Sequence, residues 1–226
     1  MNMNILRQPF RYSNYNVVFW LIGINILVYA AAMFLGRNIE VFLQIGNRRY
    51  ILSIADALAM IPIAVLQGWV WSFATYMFMH GNFQHILFNM LGLFIFGIHV
   101  ERQMGSKEFL LYYFTTGILA GIFSFVVYFL SGNLFAALVG ASGALYAVQI
   151  AYAVFFPNSV IYIWGILPLR APVMVLGFTI LSLFFIITGT GGNVAHLTHL
   201  AGFGFGWLYF LIRFGVDPWR RLTGSR

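Results

Sequence analysis

Residues 17–35 read VVFWLIGINILVYAAAMFL, nineteen consecutive positions in which Asn25 is the one strongly polar side chain. At 1.5 Å per residue, a helix of that length matches the hydrocarbon core of a bilayer, which about 20 apolar residues span. Lipid offers no partner to a backbone N–H or C=O, so such a run must satisfy its own hydrogen bonds, as a helix does. Comparable apolar stretches recur at 83–100, 109–130, 143–156, 172–188 and 199–214. The chain as a whole shares the bias, with 62% of its 226 residues hydrophobic and 8% charged. Soluble domains carry about 25% charged residues, and a chain this short has too much surface to hide such an apolar excess from water. A soluble enzyme, a disordered tail and a secreted disulfide scaffold are excluded. With no cysteine there is no disulfide, no thiol chemistry and no Cys-ligated metal. The expected fold class is an all-α polytopic membrane protein, a bundle of six transmembrane helices.

Three parts follow along the chain: an N-terminal segment 1–16, a six-helix domain 17–214 and a tail 215–226. The Ala30-Ala31-Ala32 run could mimic a signal-peptide cleavage site, but the long apolar core before it favours an uncleaved anchor. Residues 36–79 form a long loop between the first two spans. They are expected to hold interfacial helices, with Trp69 and Trp71 at headgroup level. The fourth span, 143–156, is short for a full crossing, so it must begin below the membrane surface, surrounded by other helices. Charge sets the orientation. Of the 12 Lys and Arg residues, only Arg37, Arg48 and Arg49 fall outside when both termini are cytoplasmic, leaving nine inside. That asymmetry obeys the positive-inside rule, whereas counting residues 51–79 as a seventh span would reverse it. The net charge of +7 is therefore an orientation signal, the arginines of the tail included. No basic run suits a nucleic acid.

Ionisable and polar side chains inside spans are expensive, and so are functional candidates. His80, His85 and Asn89 lie at the start of the second span, Ser142 at the start of the fourth, and His196 and His199 at the start of the sixth. Even-numbered spans all run from outside to inside, so their N-termini meet at one depth of one face. His85 and Asn89, four residues apart, share a helix face. Ser142, between Gly140 and Gly143, has small neighbours that leave its hydroxyl approachable. His199, with an ordinary imidazole pKa near 6.5, is the natural base, and His196 competes with it. A serine, a base and convergent donors are the minimal kit for acyl transfer. Of the five acids, Glu40 and Asp56 lie in the long external loop, and Glu101, Glu108 and Asp217 on the inner side. None accompanies the serine, so the expectation is a Ser–His dyad in which Tyr146, one turn after Ser142, orients His199. Rows of small residues, Gly143-Ala147-Ala151 and Gly202-Gly206, would let the fourth and sixth spans approach closely.

These pieces together resemble the rhomboid intramembrane serine proteases. They are His80-Gly81-Asn82-Phe83-Gln84-His85-Ile86-Leu87-Phe88-Asn89, Gly97 through Glu101-Arg102 to Gly105-Ser106, Gly140-Ala141-Ser142-Gly143-Ala144-Leu145-Tyr146-Ala147, Phe156-Pro157-Asn158, and His199-Leu200-Ala201-Gly202 with Gly206. The resemblance implies cleavage of transmembrane protein substrates near their external end, with no metal and no cofactor. It implies Ser142 as nucleophile and His199 as general base. His85, Asn89 and the Ser142 N–H would form the oxyanion hole, and Tyr146 would pack on His199. Gly140, Gly143 and Gly202 support the site, and Glu101 joins a structural network at the inner end of the second span. The compact form suggests a bacterial plasma membrane. Two positions depart from the family pattern: Ser72 stands where an arginine often follows Trp71, and Tyr76 where a histidine is frequent. Two rivals remain. One is an inactive relative that binds transmembrane helices, and the other is a small transporter using the histidines. A metal site of His80, His85, His196 and His199 would lack a carboxylate partner and any His-Glu-x-x-His pattern.

Overall fold

The computed structural model describes residues 8–36, 39–45, 47–163, 165–189 and 193–224. Helix α1 (Val17–Leu35) comes first, followed by an antiparallel hairpin, β1 (Glu40–Ile45) and β2 (Arg48–Ser53), with Glu40 opposite Ser53 and Ile45 opposite Arg48. Three short helices complete the long loop: α2 (Ile54–Leu58), α3 (Pro62–Leu66) and α4 (Ser72–Thr75), the last continuing into a 3-10 turn, Tyr76–Phe78. The helix α5 (Phe83–Gly92) passes through a π-helical turn, Leu93–Gly97, into α6 (Ile98–Met104). Gly105, at φ +85°, makes the tight turn into α7 (Ser106–Leu130). Next come α8 (Ser142–Phe155), a second hairpin of β3 (Val160–Ile163) and β4 (Leu167–Arg170), and α9 (Ala171–Thr188). The chain closes with α10 (Asn193–Tyr209), its π-helical extension Phe210–Phe214, and α11 (Pro218–Thr223).

Four of these described helical stretches are long and apolar enough to cross a membrane: Val17–Leu35, Phe83–Met104, Ser106–Leu130 and Ala171–Thr188. Their outward faces carry exposed Trp20, Leu27, Phe34, Leu119, Leu176 and Ile187, apolar surface that suits lipid rather than water. Helix α8 is the opposite case. Almost all of it from Gly143 to Val154 is buried, because it is the axis of the bundle and packs against α7, α9, α10 and the α5–α6 rod. A fourteen-residue helix can lie there because its neighbours, not its length, shield it.

The expectation of an all-α chain needs correction at the two hairpins. Both were legible in principle. Residues 40–53 and 160–170 are rich in Val, Ile, Leu and Tyr, and Gly46-Asn47 and Gly165 supply turn chemistry. Their apolar character hid them among the helices. The long loop therefore begins with a hairpin rather than an interfacial helix. Helix edges also differ: the second apolar stretch extends to Met104, and α10, expected as the sixth span from residue 199, begins as a helix at Asn193, six residues earlier. Polar residues at a helix end carry no apolar periodicity, so the pattern could not mark that start.

Two carboxylates tie the helices together at one end of the bundle. Glu101, buried, accepts hydrogen bonds from the N–H groups of Val17 (2.8 Å) and Val18 (3.0 Å) and from the Ser106 hydroxyl. A carboxylate thus takes up the free donors that open α1, where the helix dipole also favours negative charge. Glu108, on α7, receives a two-pronged pair from Arg213, Nε at 2.7 Å and Nη2 at 2.9 Å, together with the Tyr209 hydroxyl and the Phe10 N–H.

Candidate active site

Ser142 is the first residue of α8. The turn before it depends on Gly140, at φ +115°, whose N–H donates to the Tyr76 carbonyl at 2.9 Å. Helix geometry leaves the first-turn N–H groups of α8 without intrahelical acceptors, and no side chain caps them. They and the positive end of the helix dipole lie beside the Ser142 hydroxyl.

His199 reaches that hydroxyl from α10, with Nε2 2.9 Å from Ser142 Oγ. Its other ring nitrogen, Nδ1, is buried and has no partner among the described residues, so no carboxylate among them orients the ring. Tyr146 does so by stacking on it, with centroids 4.2 Å apart and planes 10° from parallel. Phe203 closes edge-on against Tyr146 at 4.8 Å. His196, the competing base, stacks on Phe185 at 4.8 Å and meets only the edge of His199.

The helices come this close because of glycine. A methyl group at Gly202 would sit 2.1 Å from the Gly143 carbonyl oxygen, and one at Gly206 would sit 3.0 Å from Ala147. Gly143 in turn faces Ala120 of α7, the Tyr76 hydroxyl and Thr198.

His85 and Asn89 approach from α5. Asn82 caps this helix, accepting from the His85 N–H at 2.8 Å. A Cβ at Gly140 would lie 2.6 Å from His85 Nε2 and 3.7 Å from Ser142 Oγ, so the imidazole is held against the serine turn. The Asn89 amide donates one hydrogen to the His85 carbonyl at 3.0 Å, leaving a second available. His80 packs edge-on against His85 at 5.0 Å. Burial, reinforced by the neighbouring His85, pushes the His80 imidazole down to about 4.

The two departures in the long loop have their own anchorage. Ser72 Oγ donates to the Trp69 carbonyl at 2.6 Å, and Tyr76, fully buried, donates to the Gly117 carbonyl at 2.7 Å. Two neighbours went unnoticed in the sequence. Thr198, immediately before His199, bonds Ser124 of α7, and Tyr112 of α7 donates to the Ala147 carbonyl of α8 at 2.6 Å. The available signal was hydroxyls placed inside apolar helices, which tend to bond across helix seams.

Fold and site together define an integral membrane protein with a hydrogen-bonded serine and histidine between its central helices. The chain belongs to the rhomboid family: the model of the Rhomboid domain matches residues 67–216. Among its relatives, the rhomboid YdcA of Bacillus subtilis (strain 168) is 32% identical over 149 residues, 65% of this chain and 70% of that protein. Rhomboid-like protease 1 of Toxoplasma gondii is 28% identical over 157 residues, 66% of this chain and 50% of that one. Rhomboid protease GlpG of Salmonella choleraesuis (strain SC-B67) is 30% identical over 158 residues, 66% of this chain and 52% of that one. The chain thus spans about half the length of the last two.

Proposed function

We propose that this chain is an intramembrane serine endopeptidase that hydrolyses peptide bonds in or near transmembrane segments of membrane proteins. In this reading it crosses the membrane six times, α8 and α10 supplying the fourth and sixth spans. Both termini are cytoplasmic, the site opens to the outer side, and the membrane is a bacterial plasma membrane. The observation that carries the reading is the 2.9 Å hydrogen bond between Ser142 Oγ and His199 Nε2. An acyl-transfer nucleophile requires a base at this range.

Ser142 Oγ attacks the substrate carbonyl carbon while its proton passes to His199 Nε2. The carbonyl oxygen becomes an oxyanion facing the His85 ring, the free Asn89 amide hydrogen and the Ser142 N–H. Collapse breaks the C–N bond, and the proton on Nε2 goes to the leaving amine. Water, deprotonated by His199, then attacks the acyl carbon, the bond to Ser142 Oγ breaks, and His199 returns the proton to Oγ. In place of a carboxylate, Tyr146 stacks on the His199 ring and holds its orientation. The proteases among the relatives support the class of reaction.

The test is labelling with a fluorophosphonate and cleavage of a transmembrane-segment reporter by the purified chain in liposomes. Ser142→Ala and His199→Ala are expected to abolish both, and Asn89→Ala to lower turnover about 10²–10³-fold, as loss of one oxyanion donor does. Undiminished cleavage by Ser142→Ala overturns the assignment. A transmembrane-helix binder without activity would capture the reporter and leave it whole.

A further inference from the structure

Ser142 and His199 stand on different helices, so their 2.9 Å separation depends on the relative register of α8 and α10. Both helices are referenced to a third. On the nucleophile side, Gly143 and Ala144 rest on α7: a methyl at Gly143 would meet Ala120 Cβ at 3.1 Å, and one at Gly117 would meet Ala144 Cβ at 3.2 Å. On the base side, Thr198 Oγ1 and Ser124 Oγ of α7 are 2.6 Å apart, the threonine being 2% exposed and the serine fully buried. Ser124 is itself fixed, for its hydroxyl also donates to the Ala120 carbonyl at 2.8 Å. The two hydroxyls share one hydrogen bond, which either can donate. The Thr198 methyl closes the triangle, 3.4 Å from where a Gly143 Cβ would stand.

We propose that the Ser124–Thr198 hydroxyl pair is a positioning clamp, which locks α10 to α7 one residue before His199 and so sets the reach of the base to Ser142. The proposal rests on the Ser–His reading. A second lock on the same seam, Glu108 with Tyr209 and Arg213, holds the opposite end of α10. The inner lock lies at the far end of α10 from His199, so the register of the outer turns depends on the contacts made there. A shift there moves His199 directly, because the ring is held by stacking and by Ser142, and among the described residues nothing bonds Nδ1. A misplacement on the order of 1 Å can reduce a rate about 10²-fold.

The clamp is tested by fluorophosphonate labelling of the full chain in liposomes, with the limiting rate and the half-saturating concentration measured separately. Thr198→Val keeps the shape and removes the hydroxyl, and Thr198→Ser restores it. Ser124→Ala removes the partner with little change in volume. The expected result is a limiting rate lowered about 10–100-fold in Thr198→Val and Ser124→Ala, with half-saturation and thermal midpoint close to wild type. Thr198→Ser should stay within about threefold, and the double variant should be no slower than the worse single. Wild-type rates in both Thr198→Val and Ser124→Ala overturn the clamp, as does a loss that appears only together with a lowered thermal midpoint. Ser142→Ala runs beside them. If it still labels, the dyad reading itself fails, a result distinct from the failure of the clamp.

Discussion

A single added carbon would crowd the candidate site at Gly140. At Gly140 an alanine would have to adopt φ +115° and place its methyl 2.6 Å from His85 Nε2. Gly140→Ala should therefore displace the imidazole and lower fluorophosphonate labelling by about 10²-fold, the loss typical of one oxyanion donor. Tyr146 acts through its ring face, so Tyr146→Phe should label near the wild-type rate. Tyr146→Ala, which loses a stacked contact of about 0.5–1.5 kcal/mol, should fall at least tenfold. His80 makes a pH prediction with a definite sign. Its folded pKa, about 4, lies below the unfolded value near 6.5. The unfolded chain then binds more protons between these limits, so the stability linked to His80 is complete above pH 6.5 and is lost as pH falls toward 4. Thermal midpoints measured from pH 7 to 4.5 should drop less steeply in His80→Gln than in wild type. Ser142, His199, His85 and Asn89 could be picked out from sequence because each is polar where the chain is otherwise apolar. Thr198 and Ser124 escaped notice because hydroxyls are common in membrane helices, and only the packed seam pairs these two.

Among the elements, α8 is the most constrained and α1 the most detachable. Helix α1 exposes much of its surface, and its start is held by the carboxylate of Glu101 on α6. Glu101→Ala should free that end, and protease nicking before Val17 in liposomes should accelerate while labelling of Ser142 persists. The seam between α7 and α10 is stiffer. Glu108 is almost wholly buried and takes donors from Arg213, Tyr209 and Phe10. Removing one member of such a pair strands the other charge, a loss of about 3–5 kcal/mol. Arg213→Leu should therefore lower the thermal midpoint markedly, whereas Arg220→Leu should not, since the Arg220–Asp217 pair is exposed. The hairpins show where sequence reading of elements failed. Period and composition do not separate a short apolar strand from a helical turn, and the choice fell to cross-strand pairing such as Val160 with Arg170.

For the whole molecule, the proposed six-span orientation can be tested by chemistry, because the chain has no cysteine to confuse a labelling experiment. Asn133→Cys, in the exposed turn after α7, should react with a membrane-impermeant maleimide in intact cells. Thr223→Cys, in α11, should react only after permeabilisation. The opposite pattern would invert the topology. The sequence by itself determined the solvent and the candidate chemistry. Apolar runs of bilayer length exclude water, and polar side chains are tolerated within them only where they are used or paired. Five acids placed away from the serine make a carboxylate partner for His199 improbable on sequence alone. Only the tertiary structure decided distance. The 2.9 Å between Ser142 and His199 arises from two glycine-faced helices settling on α7. That contact joins residues 57 positions apart, and close packing between helices is set by their mutual fit rather than by the periodicity of either.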